Sequence, residues 1–199
     1  MVEKTEPWQA AHPKKEDLHK SEFGSALRLP RKPFNLILLG IFFALVNFNI
    51  NNIPLLPKAV GYLLLAFGTG ALAEYSSKFA TTKILSFTLL AIWVIGFFVN
   101  GYGAASSLVV CLLVWHLLGG LREIAIRGHR PDLAKLAEAR RLVFVIIYGG
   151  LALVVRMPNI HGGGIAILAV VAMIAIFVLT ILIIYLIFRM KNVFAPKNF

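Results

Sequence analysis

The chain reads as an all-α, polytopic integral membrane protein with six transmembrane helices and both termini in the cytoplasm. Three observations predict this. Residues 162–188 carry no charge, a run well beyond the roughly 18 apolar residues that mark a membrane span. As helix the run extends about 40 Å, enough to cross a roughly 30 Å hydrocarbon core with tilt to spare. The 199 residues are also 59% hydrophobic and 15% charged, with a mean hydropathy of +0.81, whereas globular domains carry about 25% charged residues. Finally, the charges are sorted. Of 20 lysines and arginines only Lys58 and Arg156 fall on the expected outer side, and all nine acids lie on the other. The positive-inside rule then puts both termini in the cytoplasm.

Residues 1–33 form a polar cytoplasmic arm in which basic residues mix with Glu3, Glu6, Glu16, Asp17 and Glu22. It has no apolar core of the kind a signal peptide needs. The six-helix domain covers 34–190. Its first span, about 34–50, is short and ends in an Asn-rich stretch. Pro54 and Pro57 turn the chain into the second span, about 59–73. Glu74, Lys78 and Lys83 mark the next inner loop, followed by a third span at about 84–99 and a tight Asn100-Gly101-Tyr102-Gly103 turn.

The fourth span, about 104–121, continues as helix through Glu123 and Arg127, with Gly128 as its expected C-cap. The basic cytoplasmic loop 122–141 leads into the fifth span, about 142–155. Gly162-Gly163-Gly164 opens the sixth, about 163–188, and residues 191–199 form a cytoplasmic tail.

Several chemistries lack their residues. The spans hold almost no ionisable side chain, which speaks against ion- or proton-coupled transport. A serine–histidine pair of the rhomboid protease kind cannot be assembled, because the last span has no histidine. Only Asp17 and Asp132 are aspartates, and neither lies in a span, so a phosphatidyl-transfer metal site is not expected. His116 is the one histidine placed for haem, which needs two facing ones. Cys111 is the single cysteine, excluding an internal disulfide or a zinc site built on Cys-x-x-Cys. The expectation is a protein with no enzymatic activity, no cofactor and no metal.

Three groups of residues remain as candidates, each with two readings. Asn47, Asn49, Asn100 and His161 converge on the outer side, either as a neutral polar ligand pocket or as caps of helix ends. Arg122, Arg127, Arg130, Arg140 and Arg141 offer contacts to anionic lipids or a protein partner, or act only as topology determinants. The loop has no aromatic residue to stack bases, so nucleic acid is not an expected partner. Gly61, Gly68, Gly70, Gly149 and Ala169 are small residues suited to close helix packing, within the chain or against another subunit.

The stretch Asn49-Ile50-Asn51-Asn52-Ile53-Pro54-Leu55-Leu56-Pro57, followed by Gly61-Tyr62-Leu63-Leu64, resembles small polytopic membrane proteins of Gram-positive bacteria. Gly120-Leu121-Arg122-Glu123-Ile124-Ala125 resembles the Gly-Ile-x-Glu stretch after their fourth span. That resemblance implies a membrane fold and supplies no activity or site residue to carry over. The six-span length is also similar to substrate-binding subunits of energy-coupling-factor vitamin transporters. Their first-span Ala-x-x-x-Ala motif is absent here, where Phe48 follows Ala44 by four. The expected function is a non-enzymatic subunit of the inner (cytoplasmic) membrane that packs against other membrane subunits and stabilises or organises their complex. The alternative is a solute-binding or transport subunit with an outward-facing pocket.

Overall fold

A computed structural model describes residues 29–45, 49–50, 53–54, 57–96, 103–154 and 163–195. Among them are six α-helices and one minimal strand pair. The helices are α1 (Arg31–Leu45), α2 (Pro57–Ala71), α3 (Ser77–Ile95), α4 (Gly103–Arg127), α5 (Pro131–Val154) and α6 (Gly163–Phe194). Strands β1 (Asn49–Ile50) and β2 (Ile53–Pro54) lie between α1 and α2 and pair antiparallel, Asn49 opposite Pro54 and Ile50 opposite Ile53.

Local chemistry explains the starts and stops. Pro57 and Pro131 open α2 and α5, where a missing N–H costs nothing and the fixed φ suits a helix. Ser76 caps α3, its hydroxyl accepting from the Lys78 N–H at 3.2 Å, which satisfies one of the orphan donors of the first turn. α4 ends before Gly128, the expected C-cap, but the left-handed conformation falls one residue later, at His129 (φ 53°). Arg130 N–H bonds to Ala125 O at 2.9 Å and His129 N–H to Ile126 O at 3.0 Å, the paired closure of a Schellman motif. Gly128 serves another purpose. A Cβ there would stand 2.1 Å from Cε1 of Phe194, so the bare backbone seats the aromatic ring that ends α6.

Each helix packs against its neighbour in sequence, and α6 closes on α1. The result is an up-and-down ring of antiparallel neighbours. The tightest junction is α1 with α2. A Cβ on Gly61 would meet Ala44 N at 2.7 Å, one on Gly40 would meet Leu65 N at 2.8 Å, and one on Gly68 would meet Pro33 O at 2.9 Å. Backbone-to-backbone approach of this kind replaces side-chain interdigitation with van der Waals contact of the helices themselves. On α3, Phe79 is buried with its ring against Gly120 of α4, where a Cβ would come within 2.9 Å.

Among the described residues, burial is concentrated at one end of the ring. Phe34 and Ile37 of α1, Leu72 after α2 and Phe79 of α3 meet there with Leu117, Leu121 and Ile124 of α4. Leu133 of α5 and Leu186, Ile187 and Met190 of α6 complete this core. The hydroxyls buried nearby satisfy themselves: Thr69, Thr82, Ser86 and Thr180 each donate to the carbonyl four residues back, at 2.7–2.9 Å. That arrangement needs no water.

The outward surface is apolar. Ile84, Ile146 and Ile167 are 65%, 70% and 68% exposed, and many more large apolar side chains are exposed beside them, an extent that marks a surface built for something other than water.

Among the described residues three helices, not six, are long and apolar enough to cross a membrane by length and composition: Ser77–Ile95, Ser106–Arg127 and Val170–Phe194. The shortfall has two causes. α1 and α2 have 15 residues each, about 22 Å of helix against a roughly 30 Å core. The described part of α1 ends at Leu45, and Asn49–Ile50, expected as the end of the first span, is extended strand. α5 has the length, but Asp132, Lys135, Glu138, Arg140 and Arg141 occupy its first half.

Candidate functional site

At the packed end of the ring, polar contacts tie successive helix ends together. Where α3 begins and α4 ends, Lys78 Nζ lies 2.7 Å from Glu123 Oε1, and Ser76 donates its hydroxyl to the other oxygen of the same carboxylate. One turn further along α4, Arg127 donates to the carbonyl of Tyr75 at 2.6 Å. Between α4 and α5, Arg122 Nε meets Glu138 Oε2 at 2.9 Å. Between α5 and α6, Asp132 accepts from Arg189 at 3.3 Å, and Arg140 donates to the carbonyl of Leu182. The ring closes where Leu29 N–H bonds to Phe194 O at 2.9 Å and Arg31 donates to Ala195 O.

The placement follows from antiparallel connectivity. An up-and-down ring brings the start of each odd helix and the end of each even helix to one end, and the charged residues flank those positions. Asp132 also sits in the first turn of α5, where the helix dipole favours a negative charge. The hydrogen bond from Arg130 beside it holds its carboxyl below the ordinary aspartate range; desolvation opposes this, and the Leu133 N–H and the charges of Arg130 and Arg189 add to the lowering. The contribution of that carboxylate to stability is therefore complete above the ordinary aspartate pKa and is lost as pH falls from there through its lowered pKa.

Of the five arginines singled out in the sequence, four are engaged within the chain. Arg122 pairs with Glu138, Arg127 with the Tyr75 carbonyl, Arg130 with Asp132 at 3.2 Å, and Arg140 with the Leu182 carbonyl. Arg141 differs: its guanidinium lies over the Trp115 ring, 3.3 Å from the centroid. Its Nε is buried without a hydrogen-bond partner among the described residues, as is Nδ1 of His116.

The small residues divide as well. Gly61 and Gly68 lie in the α1–α2 junction. A Cβ on Gly70 would touch the aliphatic chain of Lys83 at 3.2 Å, and one on Gly149 would meet nothing within 4 Å. Ala169 lies on α6, its side chain outside the described residues, as is that of Asn49 in β1. Asn47, Asn100 and His161 also lie outside them, and with them the outer pocket.

A further polar group lies inside the ring, away from the charged end. Tyr148 of α5 hydrogen-bonds Ser107 of α4 and neighbours Cys111 one turn along. Tyr62 of α2, across the ring, is close enough to interact electrostatically with Tyr148. All three of Tyr62, Cys111 and Tyr148 pack on the core while only partly buried. Sequence reading missed this group, and it missed the Lys78–Glu123 pair. Their residues are far apart in the chain, and only the ring order brings them together. Among the described residues no three His, Cys, Asp or Glu side chains gather as a metal site.

No protein-family model matches the chain, and neither a curated protein nor a solved structure is significantly similar to it.

Proposed function

We propose that the protein is a non-enzymatic integral subunit of the cytoplasmic membrane. It crosses the bilayer six times with the charged end of the ring inside, and packs against other membrane proteins to stabilise or organise their complex. Connectivity supports the crossings. α4 and α6 both run toward the charged end, so if both cross, α5 must cross back between them. The same order sends α1 away from that end and returns α2 to it, the strand pair capping their short hairpin on the far side.

The observation that carries the subunit reading is the far half of α6. Ile167, Val170, Val171, Met173, Ile174, Phe177 and Val178 are all exposed, and among the described side chains of α6 the first buried one is Leu179. This stretch of α6 therefore presents a broad apolar face away from the ring, while Ala172, Ala175 and Ile176 are half-buried on the side that continues into Leu179 and Ile183. An exposed apolar face of this extent suits contact with another apolar helix.

Extraction of the native protein in mild detergent, followed by sizing and mass spectrometry, tests the reading. It predicts a second protein in stoichiometric amount, released by Val171→Trp or Ile174→Trp, both on the exposed face, while the chain itself stays folded. The chain recovered alone, as a monomer or homo-oligomer, contradicts it.

That contradicting result favours the second reading, a subunit that binds an uncharged polar solute within the ring. The specific support is the partly buried hydroxyl group of Tyr62, Ser107 and Tyr148. It predicts ligand-dependent thermal stabilisation that Tyr148→Phe abolishes; a broad solute screen without stabilisation counts against it.

A further inference from the structure

The face of α4 that turns away from the core, between α3 and α5, has a composition unlike the rest of the ring's exterior. Leu108, Leu112 and Ile126 are exposed along it. Between them, at helical spacing, come Trp115, His116, Gly119 and Glu123. Lys78 reaches this face from α3: its aliphatic chain crosses Gly119, Cδ standing 2.9 Å from where a Cβ would be, and its ammonium ends on Glu123. Arg141 reaches it from α5 and stacks on Trp115. His116 lies between, with Arg141 and Lys78 as its charged neighbours.

The charges here do not balance. Glu123 is matched by Lys78 and Glu138 by Arg122, leaving Arg141 with no carboxylate within ion-pair distance among the described residues. The same residue has an unpartnered buried Nε, and the adjacent His116 an unpartnered buried Nδ1. An unsatisfied buried donor is costly, more so when it belongs to a cation.

Geometry rules out simple escape to water. The Arg122–Glu138 pair sets the register of α4 against α5. Arg141 then starts one turn deeper than Glu138, and Trp115 lies two turns deeper than Arg122. The guanidinium therefore leans away from the charged end of the ring. A cation seeking only water would extend the other way.

We propose that this face of α4 binds the headgroup of an anionic phospholipid, its phosphate accepting from Arg141 and His116 beside the Lys78 chain while its acyl chains lie along Leu108 and Leu112. The guanidinium fork suits phosphate oxygens, and Trp115 holds the fork in place at little entropic cost. A bare anion would not need the apolar surface that continues on both sides of the site. The inference rests on the membrane location and is independent of any protein partner.

The test uses the purified full-length chain in neutral detergent, with phosphatidylglycerol or phosphatidylcholine added at equal concentration. For the unmodified protein, phosphatidylglycerol is expected to raise Tm by about 4 °C more than phosphatidylcholine. Native mass spectrometry should find one phosphatidylglycerol retained per chain. Arg141→Gln is expected to weaken apparent phosphatidylglycerol affinity at least about tenfold while the response to phosphatidylcholine, the sign of an intact fold, is kept. Trp115→Leu should lose the retained lipid without loss of charge, and Arg130→Gln, whose partner is Asp132, should behave as the unmodified protein. Undiminished selectivity for phosphatidylglycerol in both Arg141→Gln and Trp115→Leu overturns the proposal. So does equal stabilisation by millimolar inorganic phosphate, which would identify a soluble anion as the occupant. Neither result bears on whether a second protein co-purifies.

Discussion

Gly61→Leu is expected to destabilise the protein by about 3 kcal/mol, the upper end of the usual cost of overpacking. The new side chain would begin 2.7 Å from Ala44 N and 2.8 Å from the Gly40 carbonyl. Both are backbone atoms of α1, so no rotamer change relieves the clash and the two helices must separate. Separation also lifts Gly68 from Ile37 and Pro33, removing the contact that holds the short hairpin together. Gly149→Leu is the control: nothing lies within 4 Å of a Cβ there, and such a change is expected to stay within about 0.5 kcal/mol of neutral. Thermal unfolding of the two variants in detergent decides it. Equal effects would mean that the α1–α2 junction is not the close contact described.

Glu123→Leu is expected to cost about 2 kcal/mol, and Lys78→Met added to it should recover at least half of that loss. Glu123 accepts from Lys78 and Ser76 at once, so its removal leaves an ammonium over Gly119 with no partner and a serine hydroxyl without its acceptor. Both side chains of the ion pair keep about three-tenths of their surface exposed, and solvent screening holds the cost below that of a fully buried pair. The double-mutant cycle isolates the coupling. Simple additivity of the two single changes would show that the α3–α4 junction does not depend on this pair.

Much of the architecture is legible in the chain because helix needs only local information. The proline starts at Pro57 and Pro131 and the uncharged run of α6 need no knowledge of the fold. The extent of α1 was misread for a physical reason: Asn47-Phe48-Asn49-Ile50 alternates polar and apolar residues, and the apolar half kept the hydropathy high. The structure puts Asn49 and Ile50 in a strand pair instead. Gly128 was read from the rule that glycine ends helices. At this position the demand of Phe194 for a bare backbone prevails, and His129 takes the left-handed conformation.

The arginines show the limit of reading charge by position. Sequence places Arg122, Arg127, Arg130, Arg140 and Arg141 in one basic loop with equal claims on a partner. The ring gives the first four an internal acceptor and leaves Arg141 on Trp115. That distinction depends on which residues of α3, α5 and α6 stand opposite, which no local pattern contains. The Gly40 contact was hidden likewise, because a single glycine in an apolar helix gains its meaning only from Leu65 and Gly61 across the junction.

Both functional readings depend on a ring that crosses the membrane six times with its charged end in the cytoplasm, and the short α1–α2 hairpin is its most exacting part. In a Cys111→Ser background, Lys58→Cys places one thiol at the start of α2 and His129→Cys another in the turn after α4. A membrane-impermeant maleimide applied to intact cells should label Lys58→Cys, and label His129→Cys only after permeabilisation. Labelling of both thiols from the same side, or protection of Lys58→Cys on both, would contradict the six-span ring.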